Sequence, residues 1–110
     1  MKGYNNLSAK LNKRITVEEV SESSDGAGGF TTSWATKAIL WALIKPVSAV
    51  ENFVANKIEG KVSHIIITRY MNGITPKMRV SYDGRIFDIK GVINVMEKGK
   101  VLEMRVEERI

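Results

Sequence analysis

The dipeptide Asp83-Gly84 lies between two alternating runs, Met78, Val80 and Tyr82 before it and Arg85, Phe87 and Ile89 after it. No other feature restricts the fold of this chain as much. A two-residue Asp-Gly connection between strands demands a type I′ turn, because both central residues take positive φ and the twist of that turn matches the twist of the strands. The turn sets the register. It places Tyr82 opposite Arg85, Val80 opposite Phe87 and Met78 opposite Ile89 on one face, and Ser81 opposite Ile86 and Arg79 opposite Asp88 on the other. One face is apolar, and the other is expected to hold an ion pair directly across the ladder. Upstream, the β-branched run from His64 to Tyr70 reads as a further strand, broken by Asn72, Gly73 and Pro76.

The rest of the chain has the same character. Ile15 and Val17 alternate with Thr16 and Glu18 until Glu19 breaks the phase, which predicts a first strand over 14–21 carrying a bulge. Ser23, Ser24, Asp25, Gly26, Gly28 and Gly29 supply a hairpin loop. In the second strand Phe30, Thr32 and Trp34 share a face, a step falls at 35–37, and 39–44 is apolar on both faces. A strand of that kind is covered on both faces, and the second cover is the far side of the core, a packed helix or a neighbouring subunit.

Pro46 ends this strand and the period changes. Ser48 with Glu51 makes a capping box, Val50, Phe53, Val54 and Ile58 recur at helical spacing, and Gly60 closes the segment. The spacing predicts a short amphipathic helix, whose plain role is a lid over one end of a barrel. In the closing hairpin Ile93, Val95, Leu102, Met104 and Val106 take one face and Asn94, Glu103 and Arg105 the other, with Lys98 and Gly99 at the turn. Glu103, Arg105, Glu107 and Glu108 are placed to blunt an edge strand with charge. The expected fold is therefore mainly β, a small antiparallel β-barrel or rolled sheet with one short α-helix between the second and third strands.

With 110 residues and 44% hydrophobic content, the chain suits one domain over 11–110, preceded by a polar segment, 1–10, that is loosely held unless a partner orders it. The absence of Cys excludes a disulfide framework and thiolate chemistry. The opening residues lack the apolar core of a signal peptide, and the longest apolar run, 38–44, is far short of the roughly 20 residues of a membrane helix. A soluble protein made in the cytosol is expected. The net charge of +5 comes entirely from 37–90, where Lys37, Lys45, Lys57, Lys61, Arg69, Lys77, Arg79, Arg85 and Lys90 face Glu51, Glu59, Asp83 and Asp88. This basic centre suits either proximity to a polyanion or ordinary solubility.

No catalytic constellation is present in the sequence, and no cofactor is expected. His64 opens a strand with no second ligand at a telling spacing. Asp83 belongs to a turn and Asp88 to a cross-strand pair, so they do not form a carboxylate dyad. Gly26, Gly28 and Gly29 join two strands and precede no helix, unlike a phosphate-binding loop. A barrel of the OB type remains a second reading, with Tyr70, Tyr82 or Phe87 as a stacking platform for single-stranded nucleic acid. A tail-side completion protein is a third.

Several of these residues together resemble the tailed-phage head-tail joining proteins, the small adaptor, stopper or head completion family of long-tailed phages. The likeness runs over residues 11–107. It rests on Arg14 in an Arg-Ile-Thr-Val strand, the Gly-rich turn with Trp34 beyond it, Trp41 with Ala42, Arg69 with Tyr70, Gly73 to Pro76, the Asp83-Gly84-Arg85 turn, and Phe87 with Asp88. The chain departs from the common pattern at Val50, where a polar or charged residue is frequent. The resemblance implies a non-enzymatic role in virion assembly at the head-tail interface. Copies would add as a ring, perhaps dodecameric or hexameric and monomeric in isolation, beneath the portal and adaptor after packaging. They would close the DNA exit and present a surface to tail proteins. It also implies that the connection between the second and third strands points toward the DNA channel and touches ring neighbours. On this chain that element is Lys45, Pro46, Val47, Ser48, Glu51, Phe53, Lys57 and Lys61, with Lys57 nearest double-stranded DNA.

Overall fold

A computed structural model describes residues 10–24, 26–47 and 62–109. Six strands form a closed antiparallel barrel: β1 (Lys13–Ser24), β2 (Phe30–Pro46), β3 (His64–Arg69), β4 (Arg79–Tyr82), β5 (Arg85–Asn94) and β6 (Val101–Glu108), in the spatial order β1-β2-β3-β6-β5-β4. A single 3-10 turn, Val95–Glu97, joins β5 to β6. The helix expected between the second and third strands lies outside the described residues.

The Asp-Gly turn does what its chemistry requires. Asp83 and Gly84 have φ of 50° and 77°, and the pairs Tyr82↔Arg85, Ser81↔Ile86, Val80↔Phe87 and Arg79↔Asp88 all form. The amide of Ile89 donates to the Met78 carbonyl at 3.3 Å, which extends the same register. The Arg79–Asp88 ion pair does not form, although the residues face each other. Arg79 turns to Glu18 on β1 at 2.8 Å, and Asp88 takes Arg109 at 2.8 Å. Both partners, the Glu18 carboxylate and the Arg109 guanidinium, come from outside the hairpin, where sequence-local reading does not look.

Closure comes from Thr16↔Ser81, Val17↔Val80 and Glu18↔Arg79 between β1 and β4. The core inside is made by Ile15, Val17, Ala42, Ile66, Val80, Phe87, Ile89, Leu102, Met104 and Val106, with Ile74 at one end. Burying each of these large side chains stabilises the fold by about 1.5–3 kcal/mol. Because the barrel is closed, β6 lies between β3 and β5 and is no edge strand. Its charges are instead paired, Glu107 with Lys90 at 3.5 Å on the outside and Glu108 with Arg85 at 2.9 Å at the end of the barrel beside Phe87.

Two bulges shift phase. Val17 pairs with Ala38 and Glu18 with Thr36, so the extra residue is Lys37 on β2 rather than Glu19 on β1. Between Ile89↔Val106 and Gly91↔Arg105 the extra residue is Lys90. Before that bulge Phe87 and Ile89 point inward; after it Val92 and Asn94 stand opposite Met104 and Leu102, and Ile93 stands opposite Glu103 on the outside. The expected shared face of Ile93 with Leu102 is thereby corrected, because one inserted residue exchanges the two faces.

The second cover of β2 is partial. A small outer cluster sets Leu11 and Ile67 against Leu43, Ile65 and Val101. Ile39 and Trp41, on the same outward face, remain 54% and 51% exposed.

Phe87 has no exposed surface. Phe87→Ala is expected to lower unfolding stability by about 3–5 kcal/mol, read from urea unfolding; a loss below about 1 kcal/mol would show that the barrel interior is not the principal core.

Candidate functional site

The chain leaves the barrel for the β2–β3 connection and for the β1–β2 hairpin at opposite ends. β2 finishes and β3 begins at the end where Pro46 pairs with His64, His64 with Val106 and Phe87 with Glu108. The connection over 48–61 therefore starts and returns there. β1 runs the other way and carries the β1–β2 hairpin past the barrel at the end where β3 and β5 finish.

The mount of the connection is built around Ser63. Its carbonyl accepts from the Val47 amide at 3.0 Å and its amide donates to the Val106 carbonyl at 2.8 Å. Its hydroxyl accepts from the Glu108 amide at 2.8 Å and lies 2.8 Å from His64 Nδ1. The same hydroxyl donates to the Val106 carbonyl at 3.5 Å. The His64 ring stands edge-on to Phe87 with centroids 5.3 Å apart. Over the other side of Phe87 lies the Arg85 guanidinium, 4.9 Å from the ring centroid, held by Glu108 through two hydrogen bonds of 2.9 and 3.0 Å. Desolvation holds the His64 pKa below its ordinary value, partly opposed by the nearby Glu108 carboxylate. The hydrogen bond from Arg85 lowers the Glu108 pKa in turn. Ser63, Arg85 and Glu108 were not singled out as site residues by the sequence, since serines and rim charges carry no pattern.

At the opposite end is the arm formed by the distal halves of β1 and β2, from Glu19↔Ala35 to Ser24↔Phe30, roughly 20 Å of two-stranded ribbon. One of its faces is hydroxylic: Ser23 and Thr31 side chains meet at 3.1 Å, and Ser33 Oγ donates to the Ser21 carbonyl at 3.4 Å. The other carries Val20, Glu22, Phe30, Thr32 and Trp34. At the root of the arm Arg79 stacks on Trp34, 4.2 Å from the ring centroid, while binding Glu18. Lys37 reaches Glu19 at 3.7 Å and passes close to Gly73, whose φ of 91° and contact with the lysine suit glycine.

Of the predicted loop residues, Lys45 and Pro46 are exposed at the end of β2 and Val47 is half-buried beyond it. Ser48, Glu51, Phe53, Lys57 and Lys61 lie outside the described residues. The framework residues serve separate tasks. Arg14 lies 5.3 Å over Trp41, Arg69 and Tyr70 are exposed where β3 ends, and Gly73 and Pro76 belong to the turn before β4. The stacking platform of the OB reading does not form, because Phe87 is wholly buried and Tyr82 packs against the core. Nor is the barrel five-stranded and partly open, as in an OB-fold. The basic centre is also reduced in three dimensions: Lys37, Arg79, Arg85 and Lys90 pair with Glu19, Glu18, Glu108 and Glu107, all drawn from the two charge-balanced ends of the chain.

The barrel is six-stranded and closed, the β1–β2 hairpin runs past one end, and the flanks of the β2–β3 connection sit at the other. The family model of the phage head completion protein matches residues 7–109, and the chain belongs to that family. It is 34% identical over 77 residues to the head completion protein gp16 of Bacillus phage SPP1, covering 70% of this chain and 71% of the relative. A chain in the virion of a native gene transfer agent particle superposes with a TM-score of 0.62 at 26% identity, over 90% of this chain and 96% of that one. The solution structure of a Shigella flexneri 2a protein shares the fold, with a TM-score of 0.76 at 24% identity over 90% and 93% of the two chains. The protein is accordingly a structural component of phage virion assembly, which associates with other head and tail proteins.

Two measurements test this description. Because the folded His64 pKa lies below the unfolded one, the unfolded chain takes up the proton first. Stability is then full above about pH 6.5 and falls as pH drops through that value. The urea midpoint of the native chain is expected to fall between pH 7.5 and 5.5, and His64→Gln to remove that part of the slope; an unchanged slope would exclude the buried neutral ring. Separately, Arg79→Ala is expected to speed amide exchange at 19–24 and 30–35 by about tenfold, leaving the core of β5 and β6 protected. Uniform acceleration would show that the arm is no separate unit.

Proposed function

We propose that copies of this chain add as a ring beneath the portal and adaptor after DNA packaging, narrow or close the exit channel with the connection over 48–61, and offer the tail a surface. The role is structural rather than catalytic, and the protein is made in the cytoplasm of the bacterial host. The observation that supports this best is the anchoring of the connection. Both of its flanks are tied through Ser63 to β6 and sit beside the fully buried Phe87, while the arm occupies the far end. A segment that must hold back pressurised DNA needs such a mount, since a loop fixed at one flank only would yield. The exposed Lys45 beside it, with Lys57 and Lys61 in the connection itself, supplies charge suited to phosphate. The OB reading has no such support, given the burial of Phe87.

The test is DNA retention. Heads are assembled with Lys45→Glu, Lys57→Glu and Lys61→Glu together and assayed before tails are added. Increased DNA release with unchanged folding is the expected result. Normal retention would remove these lysines from the gate, and failure of the wild-type chain to bind tailless heads would remove the stopper reading altogether.

A further inference from the structure

We propose that the β1–β2 arm of one copy docks on the outer face of β2 in the next copy, with Phe30 entering the groove beside Trp41, so that this contact links the ring; the inference rests on the ring reading above.

Phe30 is 72% exposed on the arm, and Val20, opposite Trp34 on the same face, is 44% exposed. Farther down the outward face of β2, Ile39 and Trp41 border a groove of about 460 Å³ lined also by Leu11, Leu40 and Arg69. Aromatic groups of this size left in water on one face mark a contact surface. Phe30 cannot fill the groove of its own chain. It precedes Trp41 by eleven residues on a single strand, a separation of roughly 36 Å. A Phe30 that enters it belongs to another copy.

Charge identifies that occupant as a second copy. Residues 18–36 hold Glu18, Glu19, Glu22 and Asp25 and no Lys or Arg, in a chain whose net charge is +5. The body outside the arm is therefore strongly basic. Glu18 and Glu19 are engaged by Arg79 and Lys37, whereas Glu22 is exposed on the same face as Phe30. The groove presents the matching chemistry: Arg69 lines it and the Arg14 guanidinium lies over Trp41. An acidic aromatic arm and a basic aromatic groove on different parts of one chain make a head-to-tail contact, which is the kind that closes into rings.

The backbone agrees. β3 joins β2 only from Ala42 onward, so along residues 30–41 β2 has β1 on one side and no described strand on the other. A two-stranded ribbon is marginal alone, and its long edge carries one charge, Lys37, and no Pro to discourage a neighbour. Docking of the next copy protects both edge and ribbon.

The chain has no Cys, so engineered thiols report contacts cleanly. DNA-filled tailless heads carrying Thr32→Cys with Ile39→Cys are treated with a short thiol-reactive cross-linker, and heads carrying the unmodified chain with an amine-reactive one. The two thiols are seven residues apart on one strand, roughly 24 Å, too far to be bridged within a chain. A ladder of covalent multimers beyond the dimer is expected from the double variant and from neither single one. An amine ladder without a thiol ladder overturns the arm-to-groove contact and leaves the ring standing. No ladder with either reagent overturns both, and thiol products that join this chain to a different virion protein overturn the choice of occupant. Phe30→Ala, at an exposed position, is expected to keep the thermal midpoint while reducing retention on heads by about tenfold or more; retention at the wild-type level also overturns the proposal.

Discussion

Three residue pairs between β1 and β4 convert a curled sheet into a barrel. Val17 and Val80 meet at this seam with no exposed surface, and on the outside Glu18 binds Arg79. Closure removes the edges that β4 and β1 would otherwise present and seals the interior around Phe87. It also decides where the barrel stops. β4 begins at Arg79, so beyond Glu18 the first strand has no neighbour but β2, and the two continue together as a free-standing ribbon. The arm is thus a direct product of a seam only three pairs long.

Much of this was legible in the linear chain, and the reason is range. Asp83 and Gly84 act on their immediate neighbours, so turn type, register and the buried face of β4 and β5 followed from local chemistry. A mainly β fold, a small barrel or a rolled sheet, was expected from alternation along the chain, whereas the strand order and the closure that sets β6 between β3 and β5 were not. What escaped was decided at a distance. Arg79 and Asp88 face each other as expected, yet each prefers a carboxylate or guanidinium from a strand end remote in sequence. Lys90 resembles any exposed lysine, and nothing in its neighbours announces that it is the inserted residue that exchanges the faces of Val92 and Ile93.

The candidate site was legible to a different degree. Lys45, Pro46 and Val47 lie where the chain leaves the barrel, as anticipated, but the groups that hold that departure in place are Ser63, His64, Arg85 and Glu108. Of these His64 was read as no ligand, Arg85 as part of the turn and Glu108 as a charge on an edge strand, and Ser63 drew no notice. Their role depends on Phe87 being the common floor beneath His64 and Arg85, a relation between β3, β5 and β6 that no spacing in the sequence encodes. The apolar stretch at 39–44 was expected to be covered on both faces, whereas among the described residues Leu43 receives a second cover and Ile39 and Trp41 stay exposed.

β2 deserves a mechanical reading. It is one uninterrupted strand from Phe30 to Pro46, with the arm at its beginning and the exit of the connection at its end. Extended backbone is already near its greatest length per residue, so it behaves as a tie-rod that transmits tension without stretching. A pull on the arm is resisted first by the Lys37 bulge and the pairs with β1, and then arrives at Pro46. The two ends of the molecule are in this way mechanically in series along a single strand.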